Sequence, residues 1–205
     1  YLWDKPALKS ACYIINVTKE LTYLHQKDNP EVEKSKFVTI FNGYDDRSLP
    51  ADLKAKKLQD NPKEPILRLG IFGKFYYYSP RDVEKLIKAI EESPFNIKVY
   101  HIGKKEEGLQ KIVKKLNKED NFEFLGYQNY KDGLRILKSM DCLLLNNREE
   151  YALGTKIFDY IYLNKPIIAF SEDDSEISQL LKSFENGFIV PEGSASIKLI
   201  LKKIY

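Results

Sequence analysis

The chain has 205 residues, of which 43% are hydrophobic and 31% are charged, a composition typical of a protein that folds around a buried core. Its 33 basic and 30 acidic residues are interspersed and leave a net charge of only +3, which argues against a nucleic-acid-binding protein. The sequence also has no apolar run close to the roughly 20 residues that a membrane span needs.

The two cysteines, Cys12 and Cys142, lie in apolar runs and lack the spacing of a metal site. They are predicted to be buried, reduced thiols, which suits a cytosolic protein. The chain does not begin with Met, and its first residues lack the charged-then-apolar order of a signal peptide. We therefore expect a cytoplasmic protein from which an amino-terminal portion is missing.

The amino-terminal third of the chain has a pattern of its own. Strands are predicted at 12–17 and 37–41, with a helix between them that begins near Thr18. Residues 47–64 are polar and contain several prolines, so they are predicted to be a linker. Because two strands and a helix cannot close a sheet, residues 1–46 are expected to be the tail of another domain or an addition beside the main sheet.

From Pro65 onward, β-rich runs alternate with amphipathic helical patterns. Strands are predicted at 66–73, 96–103, 121–128, 142–147, 166–171 and 187–192. Helices are predicted at 80–93, 108–118, 130–139, 154–163, 175–184 and 194–203. These short units predict a three-layer, Rossmann-like α/β domain over residues 65–205, with a parallel sheet of about six strands. Ligands of such sheets bind outside the carboxyl ends of the strands.

The most informative stretch places Gly-Thr-Lys at the start of the fourth of these helices. The first turn of a helix has unpaired N–H groups and a partial positive charge, which attract phosphate. Gly154 would let an anion approach the backbone, Thr155 could donate its hydroxyl, and Lys156 adds a full charge. Asp159 lies on the same helix face as Thr155, where a carboxylate can accept hydrogen bonds from a ribose. Alternatively, Thr155 only caps the helix and Asp159 is solvated.

Basic residues also follow the first strand of this domain. The strand ends at Gly73, so Lys74 is expected at the carboxyl edge of the sheet, and Arg81 opens the next helix. A cation at a helix start opposes the helix dipole, which favours an anion beside it; otherwise both residues are ordinary surface charges. The tyrosines between them could stack on a base or pack against a helix. His101, at the next strand end, is expected to contact ligand or to form a structural hydrogen bond.

The order of these motifs resembles that of the retaining glycosyltransferases of the GT-B fold, family four or "group 1". The resemblance covers roughly residues 11–203 and is to the carboxyl-terminal, donor-binding domain, which is one half of the GT-B fold. The matching motifs are Asn42-Gly43-Tyr44-Asp45, Gly73-Lys74-Phe75 followed by Arg81 (with the family's Arg and Lys exchanged), His101-Ile102-Gly103 and Phe124-Leu125-Gly126-Tyr127.

The family's most specific motif consists of a Glu, seven further residues and a second Glu. Asp159 takes the second position, and Ala152-Leu153-Gly154 stands for the family's Gly-Phe-Gly. Tyr151 takes the first position, with Glu150 directly before it. The resemblance implies that the first Glu lies near the donor sugar and the second on the ribose. Either Glu150 replaces the first Glu after a shift of one residue, or the pocket differs.

The resemblance implies a function as well as a fold. It implies transfer of a sugar from a nucleotide-diphospho-sugar, such as a UDP- or GDP-sugar, to a glycan or lipid-linked acceptor, with retention of anomeric configuration and without a metal or other cofactor. Lys74 and Arg81 are the candidate catalytic residues, since they would stabilise the leaving diphosphate. The candidate donor-binding residues are Gly73, His101, Glu150, Tyr151, Gly154, Thr155, Lys156 and Asp159.

The acceptor is expected to bind an amino-terminal domain, of which residues 1–46 would be the tail, so the 205 residues alone should transfer no sugar. Family analogy places the full-length protein at the cytoplasmic face of a membrane, with peripheral association. Two other functions stay open. Sugar-nucleotide 2-epimerases share the fold, although they use carboxylates and His from both domains and this chain offers only His25 and His101. The missing first Glu also fits a non-catalytic nucleotide-binding domain.

Overall fold

The computed structural model describes residues 4–45, 53–56, 65–193 and 197–205. The amino-terminal segment forms a small parallel sheet in which Ile14 lies opposite Phe37. Val32 completes the core of this segment. Both predicted strands are present but shorter than expected. The elements of the segment are α1 (Asp4–Ser10), β1 (Ile14–Asn16), α2 (Lys19–Asp28) and β2 (Phe37–Thr39).

The main sheet has six strands, all parallel, in the order β5-β4-β3-β6-β7-β8. Its strands are β3 (Ile66–Phe72), β4 (Asn96–Ile102), β5 (Phe122–Gly126), β6 (Cys142–Asn146), β7 (Ile167–Phe170) and β8 (Gly187–Val190). The helices that connect and follow them are α3 (Pro80–Glu91), α4 (Glu107–Lys115), α5 (Tyr130–Lys138), α6 (Lys156–Leu163), α7 (Glu176–Leu181) and α8 (Ile197–Ile204).

Helices cover both faces of this sheet. One apolar cluster joins the sheet to α3, α4 and α8 through residues such as Val83, Leu109 and Leu201. A second cluster joins the opposite face to α5, α6 and α7 through residues such as Leu134 and Ile157. The prediction of a three-layer, Rossmann-like α/β domain with six parallel strands is therefore confirmed.

The strand order reverses at β3. This strand pairs with β4 on one side and β6 on the other, so that Ile71 lies opposite both His101 and Leu144. The chain therefore leaves β3 and β6 in opposite directions, and a crevice opens at their carboxyl ends, which is where Rossmann-like sheets bind ligands.

Some of the sequence predictions differ from the structure. Cys142 is buried as expected, but the prediction is wrong for Cys12, which is exposed. Cys12 lies before β1 begins, and the small sheet leaves it uncovered. Of the predicted linker at 47–64, only residues 53–56 lie within the described part, where Leu53 packs against the second apolar cluster. Residues 194–196, the predicted start of the last helix, lie outside the described residues, and the division into domains stays a prediction.

The amino-terminal segment contacts the main domain near the loop before α6. The hydroxyl of Thr18 donates a hydrogen bond to the main-chain carbonyl of Tyr151 over 2.9 Å. The N–H of Glu20 donates to the carboxylate of Glu176 over 3.0 Å. Because Thr18 also accepts a hydrogen bond from the N–H of Leu21, the start of α2 is fixed to this loop.

A buried ion pair joins α3 to the loop after β6. The guanidinium of Arg148 donates two hydrogen bonds to Asp82, at 2.8 and 2.6 Å, and a third to Glu172 at 2.8 Å. The side chain of Asp82 is only 2% exposed. Burial alone would raise the pKa of Asp82, but the hydrogen bonds from Arg148 and the Ser79 side chain hold it below its ordinary value. The pair thus fixes the carboxyl edge of the sheet.

Replacing Arg148 with Met should lower the free energy of unfolding by about 3 kcal/mol, because Asp82 keeps a buried charge and loses its closest partner. The loss should shrink below about pH 4. The stabilisation by a carboxylate with a lowered pKa is present above its unfolded pKa and disappears as the pH falls through the folded one. Urea unfolding at pH 7 and pH 3 measures both effects.

Arg135→Met is the matched control, since Arg135 also pairs with an aspartate, Asp132, but at an exposed site. That substitution should change the free energy of unfolding by less than about 1 kcal/mol. Equal losses from the two substitutions would contradict a structural role for the buried pair.

Candidate functional site

A cleft of about 830 Å³ opens at the carboxyl ends of β3, β4 and β5. Four tyrosines, the loop after β3 and the loop after β4 form its walls. The lining residues are Phe72, Gly73, Lys74, Tyr76, Tyr77, Pro80, Ile102, Gly103, Lys104, Lys105, Glu106, Gly108, Tyr127, Gln128 and Tyr130. The cleft lies at the carboxyl edge of the sheet, where Rossmann-like sheets bind ligands, on the β4 and β5 side of the strand reversal, and its size suits a small organic molecule.

Glycines bring the walls of the cleft together. Gly73 has a φ of +77°, which L side chains rarely adopt, and its N–H donates to the carbonyl of Ile102 over 2.7 Å. A Cβ at Gly103 would lie 2.9 Å from the Cα of Gly73, so the two loops touch backbone to backbone. A Cβ at Gly108 would lie 2.1 Å from the ring of Tyr76, so this ring packs directly on α4.

Two lysines meet at the strand reversal. The Nζ of Lys156 donates a hydrogen bond to the main-chain carbonyl of Lys74 over 3.0 Å. The Nζ of Lys74 lies 3.9 Å from the ring centre of Tyr77. Burial lowers the pKa of Lys156 to about 8, with the charge of Lys74 adding to this effect and Glu106 opposing it. The structure thus places a cation that titrates near neutral pH beside a second cation.

The start of α6 is open to solvent. Gly154 is exposed, and a Cβ there would meet nothing within 4 Å. Thr155 makes no side-chain capping hydrogen bond, and its φ and ψ are already helical. The helix begins at Lys156, two residues later than predicted. Its first turn therefore has no side chain of its own in the position of an anion.

Asp159 lies behind one wall of the cleft. It is 9% exposed, and its Oδ1 accepts a hydrogen bond from the hydroxyl of Tyr130 over 2.6 Å. Burial raises the pKa of Asp159, and the hydrogen bond from Tyr130 opposes this shift. Tyr130 lines the cleft, so the carboxylate has a hydroxyl partner on the side from which a ligand would approach.

Arg81 is not brought to the cleft. Its side chain is 83% exposed and lies 3.6 Å from the carboxylate of Glu192, in a separate hollow that Arg148 and Glu172 also line. Lys74 and Arg81, the two candidate catalytic residues, therefore line different hollows. In the first turn of α3, Asp82 faces the interior and Arg81 faces solvent.

His101 and Glu106 lie under the loop after β3. His101 is 1% exposed, and its Nε2 lies 2.9 Å from the carbonyl of Gly73 and 3.3 Å from the carboxylate of Glu106. This is the structural hydrogen bond that the sequence left open as an alternative to a ligand contact. Glu106 was missed by sequence reasoning, although a Glu directly before a helix, where a short polar residue is favoured, is a signal that could have found it.

The loop between β6 and α6 contributes main-chain contacts. The carbonyl of Glu150 accepts a hydrogen bond from the N–H of Glu176 over 3.0 Å, and Tyr151 is 43% exposed. Burial and then the neighbouring Glu149 carboxylate raise the pKa of Tyr78, whose ring lies 5.5 Å from the Nζ of Lys156.

The described residues contain no group of three or more His, Cys, Asp or Glu side chains that could hold a metal ion. None of the helices in the part of the chain that the structure describes has the length and apolar character of a membrane span.

Comparison with solved structures gives several similar folds. Anabaena HepE, in complex with UDP and glucose, has a TM-score of 0.72 at 17% identity, over 96% of this chain and 54% of its own. WaaG, a glycosyltransferase involved in lipopolysaccharide biosynthesis, has a TM-score of 0.69 at 19% identity, over 93% of this chain and 52% of WaaG. Sucrose-phosphate synthase from Thermosynechococcus elongatus has a TM-score of 0.68 at 17% identity, over 98% of this chain and 51% of the synthase.

These likenesses confirm the fold as a Rossmann-like half of the GT-B architecture. The chain spans about half the length of each of these proteins. No curated protein sequence matches the chain. The family model "Glycosyl transferases group 1" matches residues 56–204, which is well over half of the sequence. The chain therefore belongs to the group 1 glycosyl transferases.

Proposed function

We propose that the chain is the donor-binding part of a glycosyltransferase that takes its sugar from a nucleotide-diphospho-sugar. The observation that carries this proposal is the meeting of Lys74 and Lys156 beside the open first turn of α6, at the reversal of strand order. Two lysines next to the positive end of a helix dipole suit a diphosphate. HepE, which shares the fold, has been solved in complex with UDP-glucose.

The chemistry of sugar transfer explains why cations belong here. Cleavage of the bond between the anomeric carbon and the diphosphate leaves negative charge on the departing diphosphate. Groups that bind this charge more tightly in the transition state than in the ground state lower the barrier. Lys74, Lys156 and the N–H groups that follow Gly154 perform this task in our proposal.

The cleft at β3, β4 and β5 would hold the nucleoside. Its aromatic walls, Tyr76, Tyr77 and Tyr127 among them, offer surfaces on which a base can stack. Asp159 would bind the ribose, with the hydroxyl of Tyr130 giving up or sharing its place on the carboxylate. The sugar would then lie toward the loop that carries Glu149, Glu150 and Tyr151.

The remaining parts of the proposed function concern the whole protein. We propose transfer of a hexose, with retention of anomeric configuration and without a metal, to a glycan or lipid-linked acceptor. The acceptor would bind a second, amino-terminal domain, and the enzyme would work in the cytoplasm at the membrane surface. These statements rest on the family to which the chain belongs and on its coverage of half of each similar structure.

Lys74→Ala should weaken the binding of UDP or GDP about ten- to hundredfold, since the substitution removes a charge-assisted contact to the diphosphate. Titration calorimetry with both nucleotides measures the loss. Arg81→Ala removes a cation of the same domain that lies outside the cleft and should change affinity less than about threefold. If the unmodified chain binds neither UDP nor GDP, the proposal of a donor site is refuted.

The affinity for UDP should fall by up to about tenfold between pH 7 and pH 9. The pKa of Lys156 is about 8, so its amine loses the charge that attracts the diphosphate as the pH rises through this value. The terminal phosphate of UDP, with a second pKa of about 6, is already ionised throughout this range.

Lys156→Arg is the control for this pH effect, because an arginine stays charged. Calorimetry at several pH values should show a flat profile for this variant. An unchanged fall in affinity for Lys156→Arg would assign the pH dependence to another group.

Asp159→Ala should remove the preference for UDP over its 2′,3′-dideoxy analogue, because the carboxylate is proposed to accept hydrogen bonds from both ribose hydroxyls. The unmodified chain should bind UDP about tenfold more tightly than the analogue. Lys165→Ala, which changes a residue just after α6, should keep that preference. Equal preference in the unmodified chain and in Asp159→Ala would exclude the ribose contact.

A further inference from the structure

The carboxylate of Glu106 holds the loop after β3. Its Oε2 accepts hydrogen bonds from the N–H groups of Phe75 at 2.8 Å and Tyr76 at 3.3 Å, and its Oε1 accepts one from Tyr77 at 3.0 Å. Successive N–H groups directed at one anion form a nest. Burial alone would raise the pKa of Glu106, but a hydrogen bond from the buried imidazole of His101, and then those from the N–H groups of Tyr77 and Phe75, hold it below its ordinary value.

His101 extends this arrangement to the other end of the loop. Its Nε2 lies between the carbonyl oxygen of Gly73 and the carboxylate of Glu106, at 2.9 and 3.3 Å. Both oxygens are acceptors, so Nε2 carries a proton. The loop is thereby fixed through its first carbonyl and through three later N–H groups, and the residue between these two anchors is Lys74.

The side chain of Glu106 does not cap its own helix. It occupies the position before α4, where its carbonyl accepts a hydrogen bond from the N–H of Gln110, but its side chain makes no capping hydrogen bond. A Ser, Thr, Asp or Asn there would stabilise the helix by about 1 kcal/mol. The carboxylate turns to the loop instead, which indicates a role at the site rather than in α4.

The same loop positions the second cation. The carbonyl that accepts the hydrogen bond from Lys156 belongs to Lys74, inside the anchored segment. The charged groups that act on Lys156 are Glu106 and Lys74, and the ring of Tyr78 lies 5.5 Å from its Nζ. Of the two charged groups, Glu106 favours the protonated amine and Lys74 opposes it.

We propose that Glu106 is a positioning residue of the donor site, which fixes the loop that orients Lys74 and Lys156 and whose charge balances theirs before a diphosphate binds. The role in donor binding rests on the proposed function. The electrostatic interaction between Glu106 and Lys156 needs no ligand, so the positioning role and the role in donor binding can be tested separately.

The test compares Glu106→Gln with Glu107→Gln in the whole 205-residue protein. Both substitutions remove one carboxylate at the start of α4, but Glu107 is exposed and contacts no residue of the loop. Glu106→Gln should weaken UDP binding at least about tenfold, because an amide presents one N–H₂ group to backbone donors and carries no charge. Glu107→Gln should bind UDP as the unmodified chain does.

A second measurement separates positioning from simple structural support. In the ligand-free protein, NMR of ¹³C-labelled lysine follows the titration of Lys156, whose signal is identified by its loss in Lys156→Arg. Glu106→Gln should move the midpoint below the value of about 8, since the charge that favours the protonated amine is gone. Glu107→Gln should leave the midpoint in place.

An unchanged Lys156 midpoint, or UDP affinity equal to that of the unmodified chain, in folded Glu106→Gln would overturn the proposal. If the unmodified chain binds no nucleotide, the proposed function fails, and the Lys156 titration alone decides on the positioning role. If Glu106→Gln does not fold, Glu106→Asp takes its place. That variant keeps the charge but shortens the reach, so it should weaken UDP binding, and unchanged affinity would overturn the proposal.

Discussion

The parallel pairing of β3 with both β4 and β6 is the constraint on which the site depends. Because Ile71 lies level with His101 and with Leu144, the three strands end within one residue of the same level at the carboxyl edge of the sheet. Parallel hydrogen bonding thus brings the segments that follow β3, β4 and β6 to one edge. There the amine of Lys156, the first residue of α6, donates to the main-chain carbonyl of Lys74 in the loop after β3.

The electrostatics of the site follow from this enforced closeness. Partial burial of the Lys156 amine near a second lysine disfavours its charge, which lowers its pKa. The chain offsets part of this effect with a hydrogen bond to a carbonyl and with the carboxylate of Glu106, both of which are available before any ligand arrives. A diphosphate, the ligand proposed for this site, would bring further negative charge to the two lysines. An arrangement of this kind favours charge that develops on a leaving diphosphate over neutral ligands.

Sequence patterns predicted nearly all of the strands and helices of the main domain. Apolar residues recur about every two residues in strands and about every 3.6 residues in amphipathic helices, so these elements can be recognised without knowledge of the tertiary structure. The patterns also identified Lys74, Lys156 and Asp159 as neighbours of one edge, since topology alone places strand ends together. They could not give the direction of side chains. Arg81 points to another hollow, and the pairing of Arg148 with Asp82 joins residues 66 positions apart. Spacing along the chain carries no trace of such contacts.

The contact between Gly108 and the ring of Tyr76 limits how this half of the molecule can move. The ring lies so close to α4 that even a methyl group would not fit between them, and on its other side the loop is tied to the same helix end. Movement of this loop away from the cleft would therefore require either the loss of these contacts or a shift of α4 together with the loop.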